Sequence, residues 1–254
     1  ILQADQMEVE NILATIDKIA GLTQFGTKAL FDGSNEVNGV AIGDGLTFYS
    51  ATTLTQQSPT KQGYTIDIEQ VATRSEVVAE RGISLEEIEK GVSFVLKENN
   101  RVMKMDTIQE KNLKENIHQV LSNFHRNSPS FTREKTEAKL RNLVATALQI
   151  KADENGLNVE IYINDLGMLT VKHRQYGSKP AFGISTNLNG LFGEKTGTIK
   201  LSEGGQDISG YIGGDIALGQ GQFLHGAKGR PTEGIVVQYD KELGHRLVDI
   251  EDEQ

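Results

Sequence analysis

The stretch Ile12-Leu-Ala-Thr-Ile16-Asp-Lys-Ile-Ala20-Gly-Leu-Thr-Gln-Phe25-Gly-Thr-Lys-Ala-Leu30-Phe-Asp-Gly-Ser34 is where the reading of this chain begins. With the residues before it, it predicts one amphipathic helix that ends in a turn. Apolar residues at Val9, Ile12, Leu13, Ile16 and Ile19 follow the i, i+3, i+4, i+7 spacing of a single helix face. Gln6, Glu10, Asp17 and Lys18 fall mostly off that face, and Gly21 supplies a C-cap where the periodicity stops. The chain starts with this helix already under way, which reads as a cut through a longer element. Its apolar face is either an ordinary core face inside one domain or a stripe for other helices, and the second reading predicts unusual exposure of Val9, Ile12, Ile16 and Ile19.

Working outward, the texture changes to β. Leu46 to Ser50 is a predicted strand, and Tyr64, Ile66 and Ile68 alternate with Thr65, Asp67 and Glu69 as in a half-buried strand. Ser84 with Glu87 forms a capping box that opens a helix over 85–90, stopped by Gly91. Val92 to Lys97 and Arg101 to Met105 flank Glu98-Asn99-Asn100 as a hairpin. Thr107 with Glu110 has the form of a second capping box, before a helix whose stripe is Ile117, Val120, Leu121 and Phe124. Asn127-Ser128-Pro129-Ser130 ends it. A further helix over 133–151 carries Leu140, Val144, Ala147 and Leu148 on one face, and a second hairpin joins 159–163 to 169–171. From Ala181 onward frequent glycines separate short runs, the pattern of short strands and tight turns.

The bulk properties narrow the function. The 254 residues carry a net charge of −9 with no basic block, so a phosphate backbone would find no clustered Lys and Arg. No run of about 18 apolar residues is present, so no membrane-spanning helix is expected. Zero cysteines excludes disulfides, thiolate catalysis and cysteine-ligated zinc. Hydrophobic content of 37% with 6% aromatics suits several small units or an elongated shape. The fold class expected is therefore α+β, elongated and multidomain.

Segments of this chain resemble a known family. Ile16-Asp17-Lys18-Ile19-Ala20, then Thr23-Gln24-Phe25, then Leu30 with Asp32-Gly33-Ser34, resemble the end of the second N-terminal helix of bacterial flagellins and its exit turn. Gly21-Leu22 and Gly26-Thr27 depart from the family's Asn-Gln and Asn-Gly. Two more stretches resemble the variable region of long flagellins and, in part, the flagellar cap protein. They are Gly45 to Phe48 with Gly63 to Arg74, and Asp207 to Gly214 continuing through Gly219 to Val237. The resemblance covers residues 1–78 and about 157–241; the helical stretch near 107–155 matches no family.

The resemblance implies a subunit of the flagellar filament, secreted through the export apparatus to the cell exterior and active in motility. It implies a helical shaft remnant over 1–42 and 243–254, and a β-rich outer domain over 43–80 and 197–242. An α+β variable domain over 81–196 is inserted in the latter. Val9, Ile12, Leu13, Ile16 and Ile19 become a shaft packing face, and Thr23, Gln24, Phe25, Leu30, Asp32 and Gly33 the family's turn. The partners implied are other flagellin subunits in a homopolymer. For the full-length protein they include an export chaperone and a host innate receptor, without nucleic acid or membrane. The alternatives are a hook-associated or cap-type protein, an adhesive surface module and, further off, an enzymatic insert in 81–196.

A search for catalytic chemistry is mostly negative, and no enzyme, metal or cofactor is expected. His118, His125, His173, His225 and His245 fall in separate elements with no HExxH, and only His118 and His125 can share a helix face. Gly219-Gln220-Gly221 and Gly213-Gly214 lack the helix that a nucleotide loop needs after it. Glu86, Glu87 and Glu89 cluster on a short capped helix, where carboxylates serve the dipole and a solvated face.

Overall fold

The computed structural model describes residues 39–126 and 131–241, with the backbone of Gln24–Phe25 and Lys28–Ala29. The packing face Val9, Ile12, Leu13, Ile16 and Ile19 lies outside the described residues, as do Thr23, Leu30, Asp32, Gly33, Ser128 and Pro129.

In chain order the strands begin with β1 (Gln24–Phe25), β2 (Lys28–Ala29), β3 (Leu46–Ser50), β4 (Ile66–Gln70) and β5 (Arg74–Val78). Helix α1 (Leu85–Lys90) precedes the hairpin β6 (Ser93–Glu98) and β7 (Arg101–Asp106). Helices α2 (Lys111–His125) and α3 (Arg133–Glu154) follow, then β8 (Val159–Ile163), β9 (Leu169–Tyr176), β10 (Gly183–Thr186) and β11 (Lys200–Leu201). The last five are β12 (Ser209–Ile212), β13 (Asp215–Ile216), β14 (Leu218–Gln220), β15 (Phe223–His225) and β16 (Val236–Tyr239). Helices and antiparallel sheets together make this an α+β chain, the class expected. Within the described part of the turn motif, Gln24 and Phe25 pair antiparallel with Ala29 and Lys28.

The chain divides into two compact units. Unit 1 is Ile1–Val71 with Ile208–Gln254, and unit 2 is Ala72–Asp207. Unit 1 contains the sheets β13-β12-β4 and β14-β15-β16-β3, so strands from both halves of the sequence meet in it. Ile68 stands opposite Gly210, and Phe48 opposite Val237. The two-residue turn Gly213-Gly214 has φ of 62° and 84°, left-handed values that a glycine pair adopts without Cβ strain.

Unit 2 reaches further along the chain than the inserted domain expected over 81–196. β5 pairs with β9, and Glu76 bridges Glu203. The Thr73 N–H donates to the Gln206 carbonyl at 2.9 Å, closing the entry of the unit against its exit. These pairings link residues about as far apart as the unit is long, and no local pattern encodes them.

Inside unit 2 the sheets β11-β10-β6-β7 and β5-β9-β8 share one apolar core with the three helices. α3 lies against β8, α2 and β7, and buries Thr136, Leu140, Val144, Leu148 and Ala152, a stripe at i+4 spacing. α2 buries Leu113, Ile117, Val120 and Leu121, with Phe124 packed at the margin. α1 starts with the expected capping box: the Ser84 hydroxyl accepts from Glu87 N–H, and the Glu87 carboxylate accepts from Ser84 N–H.

The second capping box does not form. α2 begins one residue after Glu110, which caps it without a side-chain hydrogen bond. The Thr107 hydroxyl is 1% exposed and accepts from Val92 N–H at 2.9 Å, while its own N–H donates to the Val92 carbonyl. Thr107 thus completes the β6–β7 ladder, and a hydroxyl buried in a hairpin cannot also cap a helix.

Candidate functional site

In unit 2 the β6–β7 turn, the end of α3 and β9 surround an open polar cleft of about 450 Å3. Its rim carries Asn99, Arg101, Asp153, Asn158, Arg174 and Gln175. Beneath lies a pair that links the two sheets of the unit. Glu98, the last residue of β6, is 5% exposed, and His173 on β9 is 2% exposed. The imidazole Nε2 and the Glu98 Oε1 are 3.1 Å apart, and Glu98 Oε2 accepts from Asn158 N–H at 2.7 Å.

The His173 tautomer follows from its other nitrogen. Nδ1 accepts from Gln175 N–H at 3.0 Å, which leaves the ring proton on Nε2 and directs it at the carboxylate. Both oxygens of Glu98 and both nitrogens of His173 are therefore engaged. The pair acts as a brace between sheets, because neither member presents a spare proton or a spare oxygen to the cleft.

Sequence reasoning placed His173 among the separate histidines and did not pair it with Glu98. A signal was present. Phe94, Leu96 and Glu98 share one parity along β6, and Leu169, Val171 and His173 share one along β9. A charged group at a core-facing parity needs a buried partner, and here two such positions supply one another.

The rim arginines also bond within the protein. The Arg101 guanidinium donates to the Gly156 carbonyl and so satisfies the chain just past the C-terminus of α3. Arg174 Nη2 lies 2.8 Å from Asp153 Oδ1. The amides of Asn99, Asn158 and Gln175 border the cleft with no side-chain hydrogen bond among the described residues.

Glu86 and Glu87 of α1 are held as ions. Arg81 grips Glu87 through two hydrogen bonds of 2.7 and 2.8 Å. Those bonds first, and Ser84 N–H after them, hold the Glu87 carboxyl down at about 2 against the opposing effect of burial. Glu86 is likewise lowered, chiefly by hydrogen bonds from Arg133. A general acid must carry a proton near neutrality, and these carboxylates carry none.

His118 and His125 are both exposed on α2, and no group of three His, Cys, Asp or Glu residues is placed to hold a metal ion among the described residues. Gly219-Gln220-Gly221 runs from β14 into the turn before β15, so a strand follows it where a phosphate loop needs a helix. No described helix is long and apolar enough to cross a membrane. In unit 1, burial lowers the pKa of His225 on β15, and its Nε2 is buried without a hydrogen-bond partner.

No protein-family model matches the chain, and no curated protein matches it. Among solved structures it is similar to the D2-D3 domains of the flagellar cap protein FliD from Serratia marcescens, with 11% identity and a TM-score of 0.44. That similarity covers 78% of this chain and 94% of the other. The D1-D2-D3 domains of FliD from Escherichia coli are similar at 11% identity and a TM-score of 0.42, over 80% of this chain and 55% of that one. FliD from Pseudomonas aeruginosa PAO1 is similar at 10% identity and a TM-score of 0.40, over 74% and 77%.

Proposed function

We propose that this chain is the outer region of a flagellar structural protein, of the cap or hook-associated type in preference to the filament subunit. One observation carries the reading. The two separate stretches that resemble flagellar surface domains are strand partners: β4 pairs with β12, and β3 with β16, in unit 1. A resemblance in one stretch alone would mean little, whereas two stretches that complete each other's sheets support a shared ancestry of the unit.

The helices of unit 2 turn the choice away from flagellin. The flagellin resemblance does not extend to residues 107–155, yet α2 and α3 from that stretch contribute Ile117, Leu121, Leu140 and Leu148 to the core of unit 2. The role is structural and not enzymatic. In support, Glu87, Glu98 and His173 are committed to internal bonds. Its partners on this reading are other flagellar subunits, and its place is the flagellum outside the cell. The shaft face Val9 to Ile19 retains its proposed role of packing against them.

Immunogold labelling of intact flagella with an antibody to this chain tests the proposal. Gold confined to the distal tip or the hook junction is the expected result. Gold along the whole length returns the filament reading, and unlabelled flagella end the flagellar assignment altogether.

A further inference from the structure

We propose that the polar cleft of unit 2 is a binding site for a neutral polyhydroxylated ligand, a sugar of one or two rings. Its volume of about 450 Å3 falls in the range of small-ligand sites. The chemistry of its lining then selects among ligands.

Charge is the first filter. Two guanidinium groups, Arg101 and Arg174, stand beside two carboxylates, Asp153 and Glu98, so the lining is neutral in sum. Each of the four is already engaged: Arg101 by the Gly156 carbonyl, Arg174 and Asp153 by each other, Glu98 by His173 and Asn158 N–H. A cation finds no carboxylate that is not already engaged, and an anion finds a single guanidinium, Arg101, without a carboxylate partner. A neutral ligand displaces nothing.

The unengaged groups are the second filter. Asn99, Asn158 and Gln175 reach the cleft from the β6–β7 turn, the chain before β8, and β9. Their amides have no internal partner among the described residues, and each offers both donors and an acceptor. A hydroxyl also donates and accepts, so a ring with adjacent hydroxyls can satisfy several amides at once. Asp153 Oδ2 adds an acceptor that the Arg174 contact leaves open.

Rigidity is the third. Glu98 and His173 tie the two sheets together directly under the rim, and the neighbouring Leu157 is 2% exposed. The amides are thereby mounted on a braced floor, which lowers the cost of ordering them on binding. No aromatic ring lines the cleft, so affinity rests on hydrogen bonds, with a dissociation constant on the order of millimolar.

The site does not rest on the flagellar reading, and sugar binding is measured independently of where the antibody labels. The test is a titration of the whole 254-residue chain, labelled with 15N, with glucose, galactose, mannose, N-acetylglucosamine and their disaccharides. Expected are saturable shifts of the Asn99, Asn158 and Gln175 side-chain amide signals with at least one of them. Gln175→Ala should weaken that sugar about tenfold, the loss of one good hydrogen bond, without changing the thermal midpoint. Asn142→Ala, on an exposed face of α3, should leave affinity unchanged. Absence of saturable shifts across the panel overturns the proposal. So does binding that survives Gln175→Ala and Asn158→Ala together, or a uronic acid that binds more tightly than its neutral parent.

Discussion

Units 1 and 2 are both built on antiparallel sheets, yet they are held together by different means. Unit 2 has a continuous side-chain core that includes Phe94, Leu96, Met103, Leu140, Leu148 and Ile184, each at most 1% exposed. The described part of unit 1 buries mainly Ile208, Ile212, Leu224, Ile235 and Val237, with the small Ala51 and Ala217. It compensates by close backbone approach. A Cβ built on Gly219 would lie 1.6 Å from the Ile208 carbonyl oxygen, and one on Gly226 would lie 1.8 Å from that of Thr232. Where helices can cover a sheet, large side chains supply the burial. Where two small sheets meet without them, the chains themselves must come close, and glycine is what permits it.

The largest effect that would sharpen this contrast is expected from Leu148→Ala, which should cost unit 2 about 2–5 kcal/mol by transfer and cavity terms. Leu224 in unit 1 is equally buried, but its thin surroundings can collapse, so Leu224→Ala should fall at the low end of that range. Equal losses in urea unfolding would break the distinction. Next comes Glu98→Ala, which strands His173 Nε2–H in the interior and leaves the half-buried Asn158 N–H without its partner, and should cost about 3 kcal/mol. Hydrogen exchange should then rise at both β6 and β9; a change confined to β6 would show that the brace joins nothing.

Gly219→Ala tests the other side of the comparison, with about 2 kcal/mol expected from forced separation of backbone. Gly204 in unit 2 has nothing within 4 Å of a Cβ, and Gly204→Ala should stay within about 0.5 kcal/mol of the parent. A thermal scan of the two variants suffices, and similar midpoints would refute the role given to Gly219.

The smallest effects are in pH, and the two units should respond in different windows. Burial lowers the His225 pKa from its ordinary 6.5, so the unfolded chain takes up a proton that the folded unit 1 resists. Its contribution is intact above 6.5 and declines as the pH falls below that value. In unit 2 the Arg81 bonds hold Glu87 at about 2 against an ordinary 4.5. Here stability is present above 4.5 and is lost as the pH falls from 4.5 toward 2, by under about 1 kcal/mol for so accessible a pair. Exchange measured between pH 6.5 and 4.5 should therefore loosen β15 before α1. Arg81→Ala should remove the lower transition and leave the upper one.

Much of the local structure was legible from residue order alone. The Ser84–Glu87 cap, the hairpin around Asn99-Asn100 and the stripe of α3 all depend on spacings of a few residues, and those spacings are chemistry that the chain carries unfolded. Thr107 shows where this stops. Its position before Glu110 has the form of a cap, but Val92, fifteen residues earlier in sequence, had the stronger claim on its hydroxyl. The candidate cleft was less legible still, because its rim comes from the β6–β7 turn, α3 and β9.

The amino-acid sequence by itself determined the α+β class, the position of most elements and the parity that puts Glu98 and His173 on buried faces. Only the tertiary structure decided that these two meet across 75 positions. It also decided that unit 2 begins at Ala72 and ends at Asp207, and that β4 finds β12. The physical reason is range. Helix periods, caps and tight turns are set by neighbours along the chain, whereas the partner of a buried charge or of a strand edge is selected by packing, after distant segments have been brought together.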